Sequence, residues 1–132
     1  MLPQSALAEL GDERFVSLTT YRRSGTPVST PVWVVQDAQG LLVSTPEGTG
    51  KLKRLRLDPR VSLRPCDRRG RVASNAPAVD AVAELVRDVT VVDRVRALLR
   101  GKYGLEYRLF MFLERVVRRG TPARVVLRIT PA

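Results

Sequence analysis

The sequence of 132 residues contains no histidine and a single cysteine, Cys66. Without histidine, the common zinc sites and a Ser-His-Asp catalytic triad are excluded. A lone cysteine excludes an internal disulfide and a multi-cysteine metal site, and a buried, inert thiol is the favoured interpretation of Cys66. Together these absences exclude most classes of hydrolase.

The sequence also lacks a long apolar run, although 44% of its residues are hydrophobic. No run approaches the length of a membrane-spanning helix, so we expect a globular protein without a membrane span. The N-terminus, MLPQSALAELGDERF, has no basic segment followed by a long apolar one, and therefore no signal peptide is expected. We predict a single domain over residues 1–132, located in the cytoplasm.

Acidic residues are outnumbered by basic ones, and the net charge of +10 is unevenly distributed. Residues 51–71 hold nine lysines and arginines against two aspartates, a net charge of +7 that leaves only +3 for the rest of the chain. A strongly basic balance indicates a nucleic acid, an acidic membrane or an anionic ligand as partner. The concentration of charge favours one anion-binding region over a uniformly basic surface.

The stretch Leu41–Asp58, LLVSTPEGTGKLKRLRLD, predicts where that anion binds. An apolar, strand-like run ends at Ser44 and Thr45, a glycine-bearing turn follows, and a short basic helix begins. Backbone N–H groups and hydroxyls at such a junction point toward an anion, and the cations neutralise it. The predicted phosphate-binding residues are Ser44, Thr45, Gly50, Lys51, Lys53 and Arg54. A solvated basic helix face is the alternative interpretation of the same cations.

The remaining patterns predict an all-antiparallel arrangement of strands with helices around it. Six strands are predicted, at Arg14–Tyr21, Val28–Gln36, Leu41–Thr45, Arg60–Pro65, Pro77–Arg87 and Arg124–Thr130. Pro77–Arg87 is ambiguous, because its alanines and glutamate favour a helix while its apolar spacing fits a strand, and the strand is preferred. Helices are predicted at Gln4–Leu10, Leu52–Leu57, Asp93–Arg100 and Tyr107–Arg118, the last one ended by Gly120 to Pro122. Pro31 indicates an edge position or a bulge because proline cannot donate to a ladder. The predicted fold class is mainly β (α+β), a six-stranded antiparallel barrel with flanking helices.

Three segments in order, TYRRSGTPVSTPVWVV, GTGKLKRLRLDPRVSLRPCDRRGRV and RALLRGKYGLEYRLF, together with the ending LRITPA, resemble one family. Over nearly its whole length the sequence is similar to the deazaflavin-dependent oxidoreductases related to pyridoxamine 5′-phosphate oxidase. The resemblance implies a split β-barrel and a homodimer with the cofactor in a groove between protomers. Coenzyme F420, which carries a phosphate and an acidic oligoglutamate tail, is the implied cofactor, and FMN is the alternative. Ser44 stands where relatives often carry an arginine.

Within this resemblance, Pro31, Val32 and Trp33 match the strand that lies along the deazaflavin ring. Pro31 disrupts the ladder and leaves backbone groups available to a ring edge. Trp33 is then expected to contact the ring or the substrate, and a tryptophan in the core or in a dimer interface is the alternative. For the arginines of the later turn, Arg68, Arg69 and Arg71, solvation is favoured over contact with the acidic tail.

The function implied is an F420-dependent oxidoreductase that transfers a hydride from the reduced deazaflavin to an electron-poor conjugated small molecule. The protein supplies orientation, a dry slot and positive potential, so no acid–base pair is required. An FMN-dependent enzyme of the same fold is the first alternative. Two alternatives from other classes are a non-catalytic F420 carrier and a nucleic-acid-binding barrel that uses residues 51–71. The last is disfavoured because only 5% of residues are aromatic and none lies in the basic stretch.

Overall fold

The computed structural model describes residues 3–117 and 123–132. That part of the chain forms seven strands: β1 (Val16–Tyr21), β2 (Pro27–Val32), β3 (Val35–Asp37), β4 (Gly40–Pro46), β5 (Arg60–Pro65), β6 (Val79–Val86) and β7 (Arg124–Pro131). The same residues form four helices: α1 (Pro3–Leu10), α2 (Gly50–Leu57), α3 (Val89–Tyr103) and α4 (Leu105–Val117). None of these described helices is long and apolar enough to cross a membrane. Arg118 and the predicted break at 120–122 lie outside the described residues.

The strands form one antiparallel sheet in the order β2-β1-β5-β6-β7-β4-β3. Strands β2 and β3 are therefore at opposite edges, although only Trp33 and Val34 separate them in the chain. Three backbone steps reach at most about 11 Å, so the two edges must come close together. The sheet is rolled into a barrel that is split along a seam, which we define as Trp33 and Val34. The predicted fold class, an antiparallel split barrel with flanking helices, is confirmed.

The number of strands differs from the six expected, because Val28–Gln36 was predicted as one strand. In the structure β2 ends at Val32 and β3 begins at Val35. A continuous strand keeps the same neighbour, whereas this segment passes from one edge of the sheet to the other. Pro31 pairs with Ser17 on an edge strand, as its missing N–H predicts. The ambiguous stretch Pro77–Arg87 does contain a strand, β6.

The barrel interior holds the larger apolar cluster, and α1 and α2 pack against it. Helix α2 contributes Leu52 and Leu55, whose side chains are 1% and 3% exposed. These two leucines set the rotation of the basic helix, so its cations point away from the core. A second cluster lies outside the barrel, where Leu99 and Tyr103 of α3 pack on the sheet. Leu98, the neighbour of Leu99 on this helix, is 37% exposed.

Helix α4 is the least buried element of the fold. Only Tyr107 of its residues is buried. Its other large apolar side chains are at least 46% exposed, with the exception of the half-buried Met111. The exposed ones are Leu105, Leu109, Phe110, Phe112, Leu113, Val116 and Val117. A contiguous apolar face of this kind is typical of a surface that another molecule covers.

Candidate functional site

A cavity of about 470 Å³ lies between α4 and the sheet, beside the seam. This volume is within the range of small-molecule sites. The barrel side of the wall consists of Phe15, Pro31, Val32, Trp33, Ser44, Thr45, Pro46, Lys51, Arg68 and Arg124. The helical side consists of Leu99, Glu106, Tyr107, Leu109, Phe110, Met111 and Leu113. Most of these side chains are apolar, and the cations come from separate segments of the chain.

At the seam, the backbone of Val34 has left the sheet ladder and is fully buried. Its N–H donates to the Tyr103 hydroxyl at 3.0 Å, and that hydroxyl is shared between the carbonyl oxygens of Val34 (3.1 Å) and Arg14 (3.0 Å). The Lys102 ammonium donates to the carbonyl of Val34 at 2.7 Å. Two side chains of α3 thus replace the missing strand partner, as buried backbone groups require.

The Lys102 ammonium has two further acceptors, the carbonyl oxygens of Gly11 (2.9 Å) and Glu13 (2.7 Å). Its three donors are therefore matched by three carbonyl oxygens from two parts of the chain. Burial lowers the pKa of Lys102, and the positive charge of Arg14 lowers it further. The ammonium acts as a clamp between the segment after α1 and the seam.

Trp33, the first residue of the seam, lines the cavity and is held by aromatic rings of two helices. Its ring stacks on Tyr103 with centroids 4.7 Å apart and an interplanar angle of 17°. Phe110 of α4 lies against it at 5.1 Å with a tilt of 59°, and Tyr107 lies at 6.1 Å. Both geometries are favourable for aromatic pairs. The Trp33 ring is therefore positioned as a wall of the cavity.

The cavity has a basic side where the ends of β4 and β7 meet the start of α2. Pairing of Pro46 with Arg124 brings the arginine beside Ser44. The Arg124 Nε donates to the Ser44 hydroxyl at 2.7 Å, and a terminal nitrogen donates to the Ser44 carbonyl at 3.2 Å. Thr45 is buried next to them. Two strands and one helix thus contribute to one polar corner.

Lys51 is the cation of this corner that lacks an acidic partner. It is half-buried, and among the described residues no carboxylate forms an ion pair with it. Burial lowers the pKa of Lys51, and the charges of Arg54 and Arg124 lower it further. An ammonium that is partly desolvated and faces like charges is unfavourable until an anion arrives.

A second unsatisfied group lies next to Lys51. The hydroxyl of Thr49, the residue that precedes α2, is buried and has no hydrogen-bond partner in the described part of the chain. The first N–H groups of a helix also lack intrahelical partners. A hydroxyl, backbone donors and an ammonium at one helix start are the groups that bind phosphate. This donor set fits the anionic group of a phosphate-bearing cofactor.

Six of the nine predicted site residues line the cavity: Pro31, Val32, Trp33, Ser44, Thr45 and Lys51. The structure does not bring Gly50, Lys53 and Arg54 to its wall. With Leu52 and Leu55 facing the core, Lys53 is turned to solvent. The Arg54 Nε donates to the Thr20 hydroxyl at 2.6 Å, and a methyl group at Gly50 would come within 2.9 Å of the Arg54 guanidinium.

Sequence reasoning missed Arg124 and the contribution of α4. Arg124 meets Ser44, which is 80 positions away, through the β4–β7 register, and no local pattern signals that contact. Arg68, for which a solvated turn was favoured, lines the cavity and pairs with Glu106 of α4 at 3.3 Å. The alternating apolar and charged composition of α4 predicted a helix but gave no sign that it covers a cavity.

Comparison with protein families gives a match that spans almost the whole chain. The sequence model described as pyridoxamine 5′-phosphate oxidase matches residues 2–132. No curated protein is similar enough to this chain to count as a match. The structural comparisons give the same fold for several proteins of known structure.

One similar structure is a conserved hypothetical protein from Mycobacterium tuberculosis, with 25% identity and a TM-score of 0.68 over 99% of this chain and 81% of that chain. A protein named F420 reductase matches at 20% identity and a TM-score of 0.62, covering 94% of this chain and 91% of its own. HutZ, a heme storage protein from Vibrio cholerae, matches at 19% identity and a TM-score of 0.66, covering 100% and 92%. At these identities the likeness establishes the fold alone.

Proposed function

Because the chain belongs to the pyridoxamine 5′-phosphate oxidase family, we propose that it is an oxidoreductase that uses coenzyme F420. When bound, the cofactor supplies a hydride to a small, electron-poor conjugated acceptor. The observation that carries the proposal is Lys51, a half-buried cation without a carboxylate partner among the described residues, at one side of a mainly apolar cavity. A redox ring with an anionic handle matches both properties of this cavity. FMN is the alternative cofactor.

The proposed phosphate ligands are Lys51, the hydroxyls of Ser44 and Thr45, and the backbone N–H groups from Gly50 onward. Charge-assisted hydrogen bonds from such groups are stronger than neutral ones and fix the position of the anion. Lys53 and Arg54 lie on the same helix outside the cavity. We assign them to the acidic part of F420 that extends beyond the phosphate. This second set of cations is our reason for preferring F420 over the less anionic FMN.

The proposed ring site is the wall formed by Pro31, Val32 and Trp33. Aromatic side chains of α4, Tyr107 and Phe110, lie against Trp33 and exclude water from this side of the cavity. Exclusion of water strengthens the attraction between the cations and the cofactor and protects a reduced ring from side reactions. The residues of this chain thus bind and orient, and none of them is required to transfer a proton in the proposal.

Two other functions are less well supported by the residues of this chain. A heme-binding role, suggested by the name of one structural neighbour, is disfavoured because the chain has no histidine, the commonest proximal ligand of heme iron. A role in nucleic-acid binding is disfavoured because the aromatic rings of the site pack against one another around Trp33. The exposed apolar face of α4 supports the proposal of a homodimer, in which a partner subunit covers that face.

Titration of the purified protein with F420 and with FMN tests the proposal directly. Trp33 is the single tryptophan, so quenching of its emission reports a ring bound in this cavity. We expect a micromolar or tighter dissociation constant for F420, a weaker one for FMN, and oxidation of reduced F420 when a quinone is added. Binding of neither cofactor would overturn the proposal. Binding of F420 without turnover of any acceptor would indicate a carrier, and a preference for FMN would reverse the choice of cofactor.

A further inference from the structure

Helix α4 brings a carboxylate to the basic side of the cavity. Glu114 accepts a hydrogen bond from the Arg124 guanidinium at 2.5 Å, and both side chains are only 8% exposed. The same guanidinium is bound to the hydroxyl and carbonyl of Ser44. Arg124 and Ser44 line the cavity together with Lys51. A buried anion is therefore already in contact with one of the two cations that we assign to the anion-binding corner.

We propose that Glu114 is an internal competitor for the anion that binds at Ser44, Lys51 and Arg124. In the free protein its carboxylate neutralises Arg124, and a bound phosphate takes over that neutralisation. This inference rests on the proposed function, because it assumes that the corner receives a phosphate-bearing ligand. Glu114 then lowers the affinity for phosphate-bearing ligands and leaves that for uncharged ones unchanged, since its carboxylate repels only a bound anion.

The balance of charge at the corner favours competition by Glu114 over a purely structural role. The corner holds two cations, Lys51 and Arg124, which are close enough for Arg124 to lower the pKa of Lys51. Glu114 cancels one positive charge, whereas a phosphate dianion requires both. With phosphate bound, the Glu114 carboxylate faces a second anion across the Arg124 guanidinium in a partly desolvated space. Repulsion between two partly buried anions is screened less by solvent and salt than repulsion between exposed ones.

A purely structural Glu114 makes the opposite prediction. If its only role is to orient Arg124 toward the cavity, removing the carboxylate takes away one of the groups that hold the guanidinium in place and weakens anion binding. If it competes, removing the carboxylate strengthens anion binding although the fold loses a buried ion pair. The sign of the change in affinity therefore separates the two roles.

The test is Glu114→Gln, which keeps the shape of the side chain and removes its charge. Binding of inorganic pyrophosphate is measured by calorimetry, and binding of F420 and of the phosphate-free chromophore 8-hydroxy-5-deazariboflavin by Trp33 fluorescence. We expect the variant to bind pyrophosphate and F420 about tenfold more tightly than the wild type. The affinity for the phosphate-free chromophore is expected to stay unchanged, because no second anion then faces Glu114.

Asp37→Asn is the matched control. Asp37 forms a partly buried ion pair with Arg94 of α3 at 2.9 Å, and neither residue lines the cavity. This variant also removes a carboxylate from an arginine, so it reproduces the loss of an ion pair without changing the charge of the corner. It is expected to bind pyrophosphate with wild-type affinity. Glu114→Asp, which withdraws the carboxylate by one methylene group, is expected to give a smaller gain and replaces Glu114→Gln if that variant does not fold.

Unchanged or weaker pyrophosphate binding in the Glu114 variants would overturn the inference and assign Glu114 a supporting role only. Absence of pyrophosphate binding in every variant would overturn it as well, because the corner would then not be an anion site. Tighter pyrophosphate binding by Glu114→Gln together with no binding of F420 would support the competitor and overturn the proposed cofactor. The two proposals therefore fail in distinguishable ways.

Discussion

Lys51, which lines the cavity, and Lys102, which holds the seam beside it, differ in what surrounds their charge. Lys102 and Lys51 are both half-buried, and burial is the main cause that lowers the pKa of each. The Lys102 ammonium donates to three carbonyl oxygens at 2.7 to 2.9 Å. Lys51 has no such partner among the described residues. Two partly buried ammonium groups thus differ in whether the described part of the chain offers them hydrogen-bond acceptors.

This difference indicates which cation belongs to the fold and which belongs to the ligand. A buried charge that the chain itself satisfies adds stability and is removed at a cost to folding. A buried charge that the chain leaves unsatisfied is unfavourable to folding and is retained where a ligand completes it. Burial or a shifted pKa alone would not have separated Lys102 from Lys51. Their hydrogen-bond partners do.

The largest expected effect is on the free energy of unfolding of Lys102→Met. Methionine keeps an unbranched side chain but removes the ammonium donor from the carbonyl oxygens of Gly11, Glu13 and Val34, of which Val34 retains the Tyr103 hydroxyl. We expect the free energy of unfolding to fall by about 3 kcal/mol, since hydrogen bonds to charged groups contribute about 1.5–3 kcal/mol each and part of this loss is recovered by water. Urea denaturation followed by Trp33 emission measures it.

Arg100→Met is the control for this variant. Arg100 lies on the same helix, is exposed, and its side chain forms no hydrogen bond or ion pair among the described residues. Its replacement is expected to change the free energy of unfolding by less than about 0.5 kcal/mol. A Lys102→Met protein as stable as this control would show that the ammonium does not hold the seam.

The second largest expected effect is on ligand binding by Lys51→Ala, in contrast to the effect on stability expected for Lys102→Met. Lys51→Ala is expected to weaken F420 binding by about 10- to 100-fold, the loss of one charge-assisted contact. The free energy of unfolding without ligand is expected to equal or exceed that of wild type, because no internal partner is lost and an unfavourably buried charge is removed. Fluorescence titration and urea denaturation on the same samples measure both quantities.

Lys53→Ala is the control, since Lys53 carries the same charge two residues away and is turned to solvent. We expect it to weaken F420 binding by less than about threefold, as is typical of an exposed contact screened by water and salt. Equal losses in the two variants would mean that only the total charge of α2 matters. Unchanged affinity in both would move the phosphate site to another part of the molecule.

The same comparison explains what was predictable from the sequence. Lys51 was predicted because its signal is local: a strand end, a glycine-bearing turn and a run of cations follow one another within a few residues. The spacing of Leu52 and Leu55 already implied that Lys51 and Lys53 point in different directions, although the composition alone treats them alike. Antiparallel strands and the short basic helix were recoverable for the same reason, since alternation and turn residues are local features.

Lys102 and the seam were not predictable because they depend on contacts between distant segments. Lys102 meets Val34 across 68 positions. The break between β2 and β3 has no composition of its own, because Val28–Gln36 is rich in strand-forming residues throughout. Closure of the barrel imposes that break. Closure leaves backbone groups of the seam without a strand partner. The side chains that form hydrogen bonds with them can be identified only from the folded sheet.

The smallest expected effect is a pH dependence with opposite signs for folding and for binding. The folded state lowers the pKa of Lys51, so above that pKa and up to the ordinary value of 10.5 the unfolded chain binds more protons than the folded one. The free energy of unfolding of the wild type relative to Lys51→Ala therefore rises with pH in this window. F420 affinity relative to the same variant falls there, because the ammonium that attracts the phosphate loses its proton.

Using the ratio of wild type to variant cancels the titration of the ligand and of Lys102. A ratio of F420 affinities that stays constant as the pH rises toward 10.5 would show that Lys51 holds its proton as an ordinary exposed lysine does, and the contrast between the two lysines would then rest on hydrogen bonding alone.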